Sequence, residues 1–124
     1  KFNIELDPLE ENNLALSHSV IGSYVVKEVF NIDDEEILNA IKYHTTGREN
    51  MSILEKVIYM ADLIEEGRNF PKVEELRELT YSGKLEEALI LSFNNTIKFV
   101  IDNNQLIHPR TVKARNYILS KILW

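Results

Sequence analysis

The sequence contains no cysteine, only three prolines and four glycines, and no long apolar run. Without cysteine the chain forms neither a disulfide framework nor a thiolate metal site, so nitrogen and oxygen atoms must hold any bound metal. No apolar stretch approaches the roughly 20 residues that a membrane-spanning helix needs. We therefore expect a cytoplasmic protein without a membrane partner.

Positive charge is also scarce. The chain carries 14 Lys and Arg against 20 Asp and Glu, a net charge of −6 with neutral histidines. This balance argues against long DNA or RNA as the partner, because nucleic-acid-binding domains usually carry a basic face. The net charge is still compatible with a small nucleotide as the ligand, since a few local cations or a metal can hold it. With 124 residues, 44% of them hydrophobic, we assign residues 1–124 to a single domain.

Apolar residues recur at helical spacing along nearly the whole chain, which predicts an all-α fold of about six helices. The expected bounds are about 11–30, about 34–44, 53–66, 71–79, 85–102, and from 109 onward. Ser52 and Glu55 form a capping box at the start of the third helix. Its predicted buried stripe consists of Leu54, Val57, Ile58 and Ala61.

Three side chains stand out as candidates for chemistry. Asp62 follows Ile58 by four residues, so it is expected to lie against the buried stripe, where a carboxylate must be paired, hydrogen-bonded or metal-bound. His44 ends the second helix, where an imidazole could cap the helix or serve a site. His18 lies inside the first helix and is either a surface or core residue or a ligand.

Polar turns supply further candidates. The turn from Thr45 to Arg48 offers hydroxyl and backbone N–H groups that could hold phosphate oxygens, although such turns are common. Arg68 could form a fork with a phosphate or an ion pair with Glu65 or Glu66. Residues 106–111 open the last helix, and a helix N-terminus can bind an anion; the alternative is a plain proline-started helix.

Several motifs occur in one order along the chain. They are Tyr43-His44-Thr45-Thr46-Gly47-Arg48, the segment 54–62, the segments 96–99 and 106–109 with 114–117, and the helix segment His18-Ser19-Val20-Ile21-Gly22-Ser23. With these motifs the chain resembles the HD-superfamily hydrolases of the YqeK type over essentially its whole length. The resemblance implies an all-helical HD-domain bundle. It also implies a metal-dependent hydrolase that cleaves diadenosine tetraphosphate symmetrically to two ADP.

The resemblance further implies a set of site residues. His18, His44 and Asp62 would be catalytic and would bind the metal, which the resemblance gives as iron, with manganese, magnesium or other divalent ions as substitutes. The residues implied to bind the nucleotide are His18, His44, Thr45, Asp62, Arg68, Leu106, Ile107, His108, Pro109, Arg110 and Thr111. A metal lowers the pKa of bound water and polarises a phosphoryl oxygen, and nearby cations offset the charge that develops.

One feature of the superfamily is absent, because the sequence contains no adjacent His-Asp pair. In the family that pair precedes the helix that carries His18. We therefore expect the chain to correspond to the C-terminal two-thirds of such a protein, without its N-terminal helices. On its own, with Fe²⁺ or Mn²⁺, it should hydrolyse little diadenosine tetraphosphate.

One consequence follows from this expectation, and two alternatives stay open. Apolar surface left uncovered would favour a homodimer. The first alternative is a non-catalytic helical module that holds a nucleotide in the same pocket. The second is an interaction domain in which a Lys or Arg satisfies Asp62.

Overall fold

The computed structural model describes residues 4–123, except for the side chain of Ala15, and these residues form seven α-helices without a strand. The helices are α1 (Pro8–Glu11), α2 (Leu14–Val29), α3 (Glu35–Lys42), α4 (Ile53–Ile64), α5 (Val73–Tyr81), α6 (Leu85–Asp102) and α7 (Pro109–Leu123). The predicted all-α class is confirmed, with one helix more than expected. Within this part of the chain, no helix combines the length and apolar character needed to cross a membrane.

Local capping explains where several helices begin. Asp7 accepts a hydrogen bond from the Glu10 N–H and forms a capping box, which starts the short helix α1. The helix predicted over about 11–30 is present as α2, but it begins at Leu14. Asp34 caps α3 by accepting from the N–H groups of Glu36 and Ile37. The predicted box of α4 is present, because the Ser52 hydroxyl and the Glu55 carboxylate each accept the other residue's N–H at 3.2 Å.

Helix α4 packs against α3, α5 and α6. Helix α7 packs on α6, while α1, α2 and α3 pack in chain order. The main core joins α4, α5, α6 and α7 with Met51, and its buried members are Met51, Tyr59, Met60, Ile64, Leu76, Ala88, Leu89, Phe93, Ala114 and Ile118.

The buried face of α4 differs from the prediction. Val57 and Ile58 are 45% and 38% exposed, and Ala61 is exposed as well. The buried residues of this helix are Glu55, Tyr59, Met60 and Ile64. Apolar residues occur around most of α4, so spacing alone does not determine which face is buried.

Tertiary contacts select the face of α4. The Tyr59 ring packs against Phe93 of α6, with ring centroids 5.1 Å apart, and the Glu55 carboxylate pairs with Arg48. This rotation turns Asp62 toward solvent, where its side chain is 52% exposed. The expectation of an inward-facing Asp62 was therefore wrong.

Candidate functional site

Two imidazoles meet where α2 packs on α3. The Nε2 atoms of His18, on α2, and His44, in the turn after α3, lie 3.2 Å apart, and the rings are nearly perpendicular. His44 Nδ1 lies 2.6 Å from the carbonyl oxygen of Ile41. Because a carbonyl only accepts, Nδ1 carries the proton, and the Nε2 lone pair of a neutral His44 faces His18.

This geometry fits a pair of metal ligands. Two nitrogen ligands bound at about 2.0–2.1 Å to one tetrahedral ion lie roughly 3.3 Å apart, close to the 3.2 Å separation of the two Nε2 atoms. Metal-binding imidazoles usually donate their other N–H to a carbonyl or carboxylate, as His44 donates to Ile41. The same bond also caps the end of α3, so capping and ligation use different nitrogens of one ring.

Asp62 lies apart from the two imidazoles. Its nearest ion-pair partner is Arg68, 3.4 Å away, and Arg68 also lies 3.9 Å from Glu65. No group of three ligand atoms mutually within 4.8 Å joins Asp62, His18 and His44 in residues 4–123. The structure thus brings the imidazoles together and places Asp62 in a separate, half-exposed ion pair.

A buried phenol lies three residues before Asp62 on α4. Burial raises the pKa of Tyr59 to about 12, and the negative charge of Asp62 adds to the increase. The hydroxyls of Ser92 and Thr96 hydrogen-bond to the phenol and lower its pKa by less. Tyr59 therefore stays neutral near pH 7, and the Asp62 end of α4 faces the part of α6 that carries Ser92 and Thr96.

The turn after His44 is fixed on two sides. Thr45 is half-buried within it. The Thr46 hydroxyl donates to the Gly47 carbonyl, and the Thr46 carbonyl accepts the Thr111 hydroxyl at 2.9 Å. Gly47 has φ +71°, and a Cβ there would lie 2.8 Å from Phe93, so this position requires glycine. The turn is thus attached to both α6 and α7.

A buried ion pair fixes the other end of the turn. Arg48 donates two hydrogen bonds to Glu55, at 2.6 and 2.8 Å. Burial raises the pKa of Glu55, but the bonds from Arg48 and Ser52 outweigh it and hold the pKa below its usual value. Arg48 is therefore committed to Glu55 rather than to an exposed phosphate site.

The turn at residues 106–111 uses its own polar groups. The backbone N–H of Arg110 donates to His108 Nδ1 at 3.1 Å, so His108 Nε2 carries the proton and donates to Asp7 at 2.7 Å. The Arg110 guanidinium pairs with buried Glu10 at 3.1 Å. Pro109 begins α7 as the plain alternative predicted. His108 and Arg110 thus both face the acidic side chains at α1.

This pairing between the two ends of the chain was missed by sequence reasoning. Asp7, Glu10 and His108 place ligand atoms within 4.8 Å of one another. About a hundred residues separate the partners, and no spacing rule connects such positions. Among the other residues of the turn, Leu106 is exposed, Ile107 half-buried and Thr111 buried.

Two cavities adjoin the predicted site residues. One, of about 380 Å³, lies between the start of α7 and Tyr43, whose ring is 4.6 Å from the guanidinium carbon of Arg48 and 5.2 Å from that of Arg110. The other, of about 490 Å³, lies between the loop after α4 and the face of α6, with Arg68 on its rim. No sequence pattern predicted the second cavity, because its walls come from α4, the loop after it, α5 and α6.

Comparison with known proteins identifies the family to which this chain is similar. The HD domain family matches residues 2–67. The "Bis(5'-nucleosyl)-tetraphosphatase, symmetrical" of Bacillus subtilis is 45% identical over 90% of this chain and 60% of its own length. The protein of the same name from Halalkalibacterium halodurans is 47% identical over 84% of this chain and 55% of its own length.

A solved structure gives the same result. A Clostridium acetobutylicum protein described as a "predicted HD superfamily hydrolase involved in NAD metabolism" is 50% identical and superposes with a TM-score of 0.90. The match covers 96% of this chain and 62% of that protein, so the chain spans about 60% of the length of these relatives. The resemblance inferred from the motifs is confirmed, and the chain belongs to the HD-domain family.

Proposed function

We propose that this chain acts in the metal-dependent, symmetrical hydrolysis of diadenosine tetraphosphate to two ADP. The observation that carries the proposal is the His18–His44 pair, with Nε2 atoms 3.2 Å apart and His44 oriented by the Ile41 carbonyl. The names of the Bacillus subtilis and Halalkalibacterium halodurans relatives support the reaction. As these relatives are longer than the chain, the full activity is part of the proposal.

The proposed roles follow from the side-chain chemistry. His18 and His44 would hold a divalent ion, and Asp62 would join them by exchanging its Arg68 partner for the metal. Such an ion would polarise a phosphoryl oxygen and lower the pKa of a bound water. Arg68, whose side chain is 46% exposed, would then be available to offset negative charge on the phosphates.

The two turns would hold the nucleotide. Thr45 follows His44 directly and would donate its hydroxyl to a phosphate oxygen. Exposed Leu106 and half-buried Ile107 would contact the apolar part of the nucleotide. Since His108 and Arg110 are paired with α1, their proposed contribution is to fix the shape of this turn, together with Pro109 and Thr111.

The metal, the assembly and the location are finer parts of the proposal. Nitrogen and carboxylate ligands suit iron, with manganese or magnesium as substitutes. Ile53, Val57 and Ile58 leave an apolar face of α4 exposed by 38% or more each, which supports association into a homodimer. We propose a cytoplasmic location, and a small nucleotide rather than long nucleic acid as the partner.

Metal binding tests the proposal at its central observation. Mn²⁺ binding, followed by electron paramagnetic resonance and calorimetry, should weaken at least about tenfold in His44→Ala and His18→Ala. Glu86→Gln is the matched control, because Glu86 pairs with Lys56 on an exposed surface of the protein. Unchanged Mn²⁺ affinity in both histidine variants would contradict the proposal.

Nucleotide assays separate the alternatives. Calorimetry should detect ADP binding, and any turnover of diadenosine tetraphosphate should be slow and give ADP alone. ATP with AMP would contradict symmetrical cleavage. Binding of ADP and metal with no turnover would favour the non-catalytic nucleotide-binding module. If neither binds, the interaction domain is favoured, with Asp62 satisfied by Arg68.

A further inference from the structure

Arg77, on helix α5, lies against the turn that follows α4. Its guanidinium group offers five N–H donors in a planar fork. Nε donates to the carbonyl of Ile64 at 3.0 Å, and Nη2 donates to the carbonyls of Glu65 at 2.9 Å and Arg68 at 2.8 Å. Nη1 donates to the carboxylate of Glu74, one turn earlier on α5. Three of these acceptors are therefore backbone carbonyls of one short turn.

The Arg77 side chain is itself held in place. Helix α5 is anchored in the main core by Leu76, which is fully buried, and the Arg77 side chain is only 17% exposed. A guanidinium group is a rigid plane, so acceptors bonded to it keep a fixed arrangement. The backbone of residues 65–68 is therefore attached to a rigid element at both ends of the turn.

These bonds do more than satisfy the end of helix α4. A helix leaves its last carbonyls without intrahelical partners, but a cap of α4 would need no bond beyond those to Ile64 and Glu65. The third bond goes to the carbonyl of Arg68, whose side chain lies 3.4 Å from Asp62. The Arg68 N–H also donates to the Glu65 carbonyl at 2.9 Å. Arg77 thus fixes the backbone of Arg68 relative to the last turn of α4, on which Asp62 lies.

We propose that Arg77 is a positioning residue for the phosphate-binding side chain of Arg68. This rests on the proposed function, in which Asp62 leaves Arg68 for the metal and the Arg68 guanidinium then faces the phosphates. Because its backbone is fixed, Arg68 changes partner by side-chain rotation alone, so less conformational entropy is lost when a phosphate binds. Arg77 itself contacts neither phosphate nor metal, since its N–H groups face the turn and Glu74.

Binding of inorganic tripolyphosphate, followed by calorimetry, tests this role. Arg68→Ala should weaken tripolyphosphate binding at least about tenfold, because it removes a charge-assisted contact. Arg77→Lys keeps the positive charge, but an ammonium group lacks the planar fork that reaches three carbonyls. It should weaken tripolyphosphate binding about fivefold, which corresponds to the cost of ordering one long side chain. Since the net charge is the same, long-range attraction of the anion does not change.

A double variant separates positioning of Arg68 from a general loss of structure. If Arg77 acts through Arg68, Arg77→Lys should change tripolyphosphate affinity less than about twofold in the Arg68→Ala background. An equal loss in both backgrounds would overturn the inference. Gly83→Ala is the matched control for stability, because it strains the turn after α5, where φ is +83°. It should keep the tripolyphosphate affinity of the unmodified chain, and a loss as large as that in Arg77→Lys would also overturn the inference.

Hydrogen exchange of the side chains tests the geometry in the unmodified chain. In nitrogen-15 NMR, the Nε–H of Arg77 should exchange at least about tenfold more slowly than that of Arg68. The reason is that Arg77 is bonded to the turn and 17% exposed, whereas the Arg68 side chain is 46% exposed. Equal exchange rates would overturn the inference without any substitution, even if Arg77→Lys fails to fold.

The outcomes distinguish this inference from the proposed function. If Arg68→Ala weakens tripolyphosphate binding and Arg77→Lys does not, the positioning role is overturned and the phosphate site stands. If Arg68→Ala binds tripolyphosphate as tightly as the unmodified chain, the proposed phosphate role of Arg68 fails, and the positioning role fails with it. The same holds if the unmodified chain does not bind tripolyphosphate. Mn²⁺ binding by His18 and His44 is measured separately, so it reports on the metal part of the proposed function in each case.

Discussion

Removing the charge of Glu55 should destabilise the protein strongly. The carboxylate is 2% exposed, accepts two hydrogen bonds from Arg48 at 2.6 and 2.8 Å, and completes the capping box with Ser52. Glu55→Gln keeps the size of the side chain. It replaces one acceptor oxygen with an NH₂ group that faces another donor of Arg48.

The size of the effect follows from these contacts. A hydrogen bond to a charged group contributes about 1.5–3 kcal/mol, and removing one partner of a buried ion pair costs about 3–5 kcal/mol. Arg48 is 32% exposed, so water can replace part of the hydrogen bonding that its guanidinium loses. We expect Glu55→Gln to lower the free energy of unfolding by about 3 kcal/mol.

Urea unfolding followed by circular dichroism measures this change. With a slope of about 2 kcal/mol/M, the midpoint should fall by about 1.5 M. The pKa of Glu55 is lowered in the folded protein, so its stabilisation is present above the unfolded-state pKa. That stabilisation is lost as the pH falls through the lower folded-state pKa. The difference between the two proteins should therefore shrink in acid.

A more exposed ion pair, between α4 and α6, provides the control. Lys56 and Glu86 lie 2.6 Å apart, but Glu86 is 44% exposed. Glu86→Gln should cost only about 0.2–1 kcal/mol. If Glu55→Gln lowered the free energy of unfolding by no more than Glu86→Gln, this prediction would be contradicted. Burial would then add nothing to the Arg48–Glu55 pair, which fixes the turn after His44.

Three further predictions follow from single contacts. Absorbance at 295 nm should show one tyrosine that ionises only near pH 12, because Tyr59 is buried, and the stability it contributes as a neutral phenol should be lost as the pH rises from 10 toward 12. Gly47→Ala should cost about 3 kcal/mol in urea unfolding, from a positive φ and overlap with Phe93. Burial raises the pKa of Asp7, but its bonds to Glu10 and His108 lower it on balance, so the protection of the amides of residues 9–11 against hydrogen exchange should fall as the pH falls below 3.8.

Each of these predictions has a matched control. Tyr59→Phe should remove the ionisation near pH 12 and leave the other tyrosine ionisations unchanged. If the ionisation near pH 12 persisted, it would belong to another tyrosine. Gly83 has φ +83° with nothing near its Cβ position, so Gly83→Ala should cost only about 1–2 kcal/mol. If Gly47→Ala lowered the free energy of unfolding by no more than Gly83→Ala, overlap with Phe93 would add nothing to its cost. His108→Gln should accelerate exchange of the amides of residues 9–11 already at neutral pH, and unchanged exchange would show that His108 does not hold α1.

The sequence predicted the elements whose signals are local. Helix α6 begins at Leu85 and ends at Asp102, as the apolar spacing predicted. The capping box of Ser52 and Glu55 was predicted from four consecutive residues. Such signals suffice because a helix end is satisfied by groups within one turn of it. The motifs likewise sufficed for the family, because their order does not depend on packing.

The orientation of α4 needed tertiary contacts. Its apolar residues form two competing stripes, and the spacing of Leu54, Val57 and Ile58 favoured the one that turned out to be exposed. Tyr59 packing on Phe93 decides between them. An apolar residue gains free energy on either face, so only the partner helix determines which side of α4 is buried.

The sequence by itself therefore determined an all-helical chain of the HD-domain family, and it predicted candidate site residues that stay a proposal. Only the tertiary structure decided that His18 meets His44, that Asp62 pairs with Arg68, and that His108 and Arg110 face the acids of α1. These contacts join positions between 6 and 101 residues apart. Distances of this kind depend on how whole helices pack, and no local spacing rule encodes them.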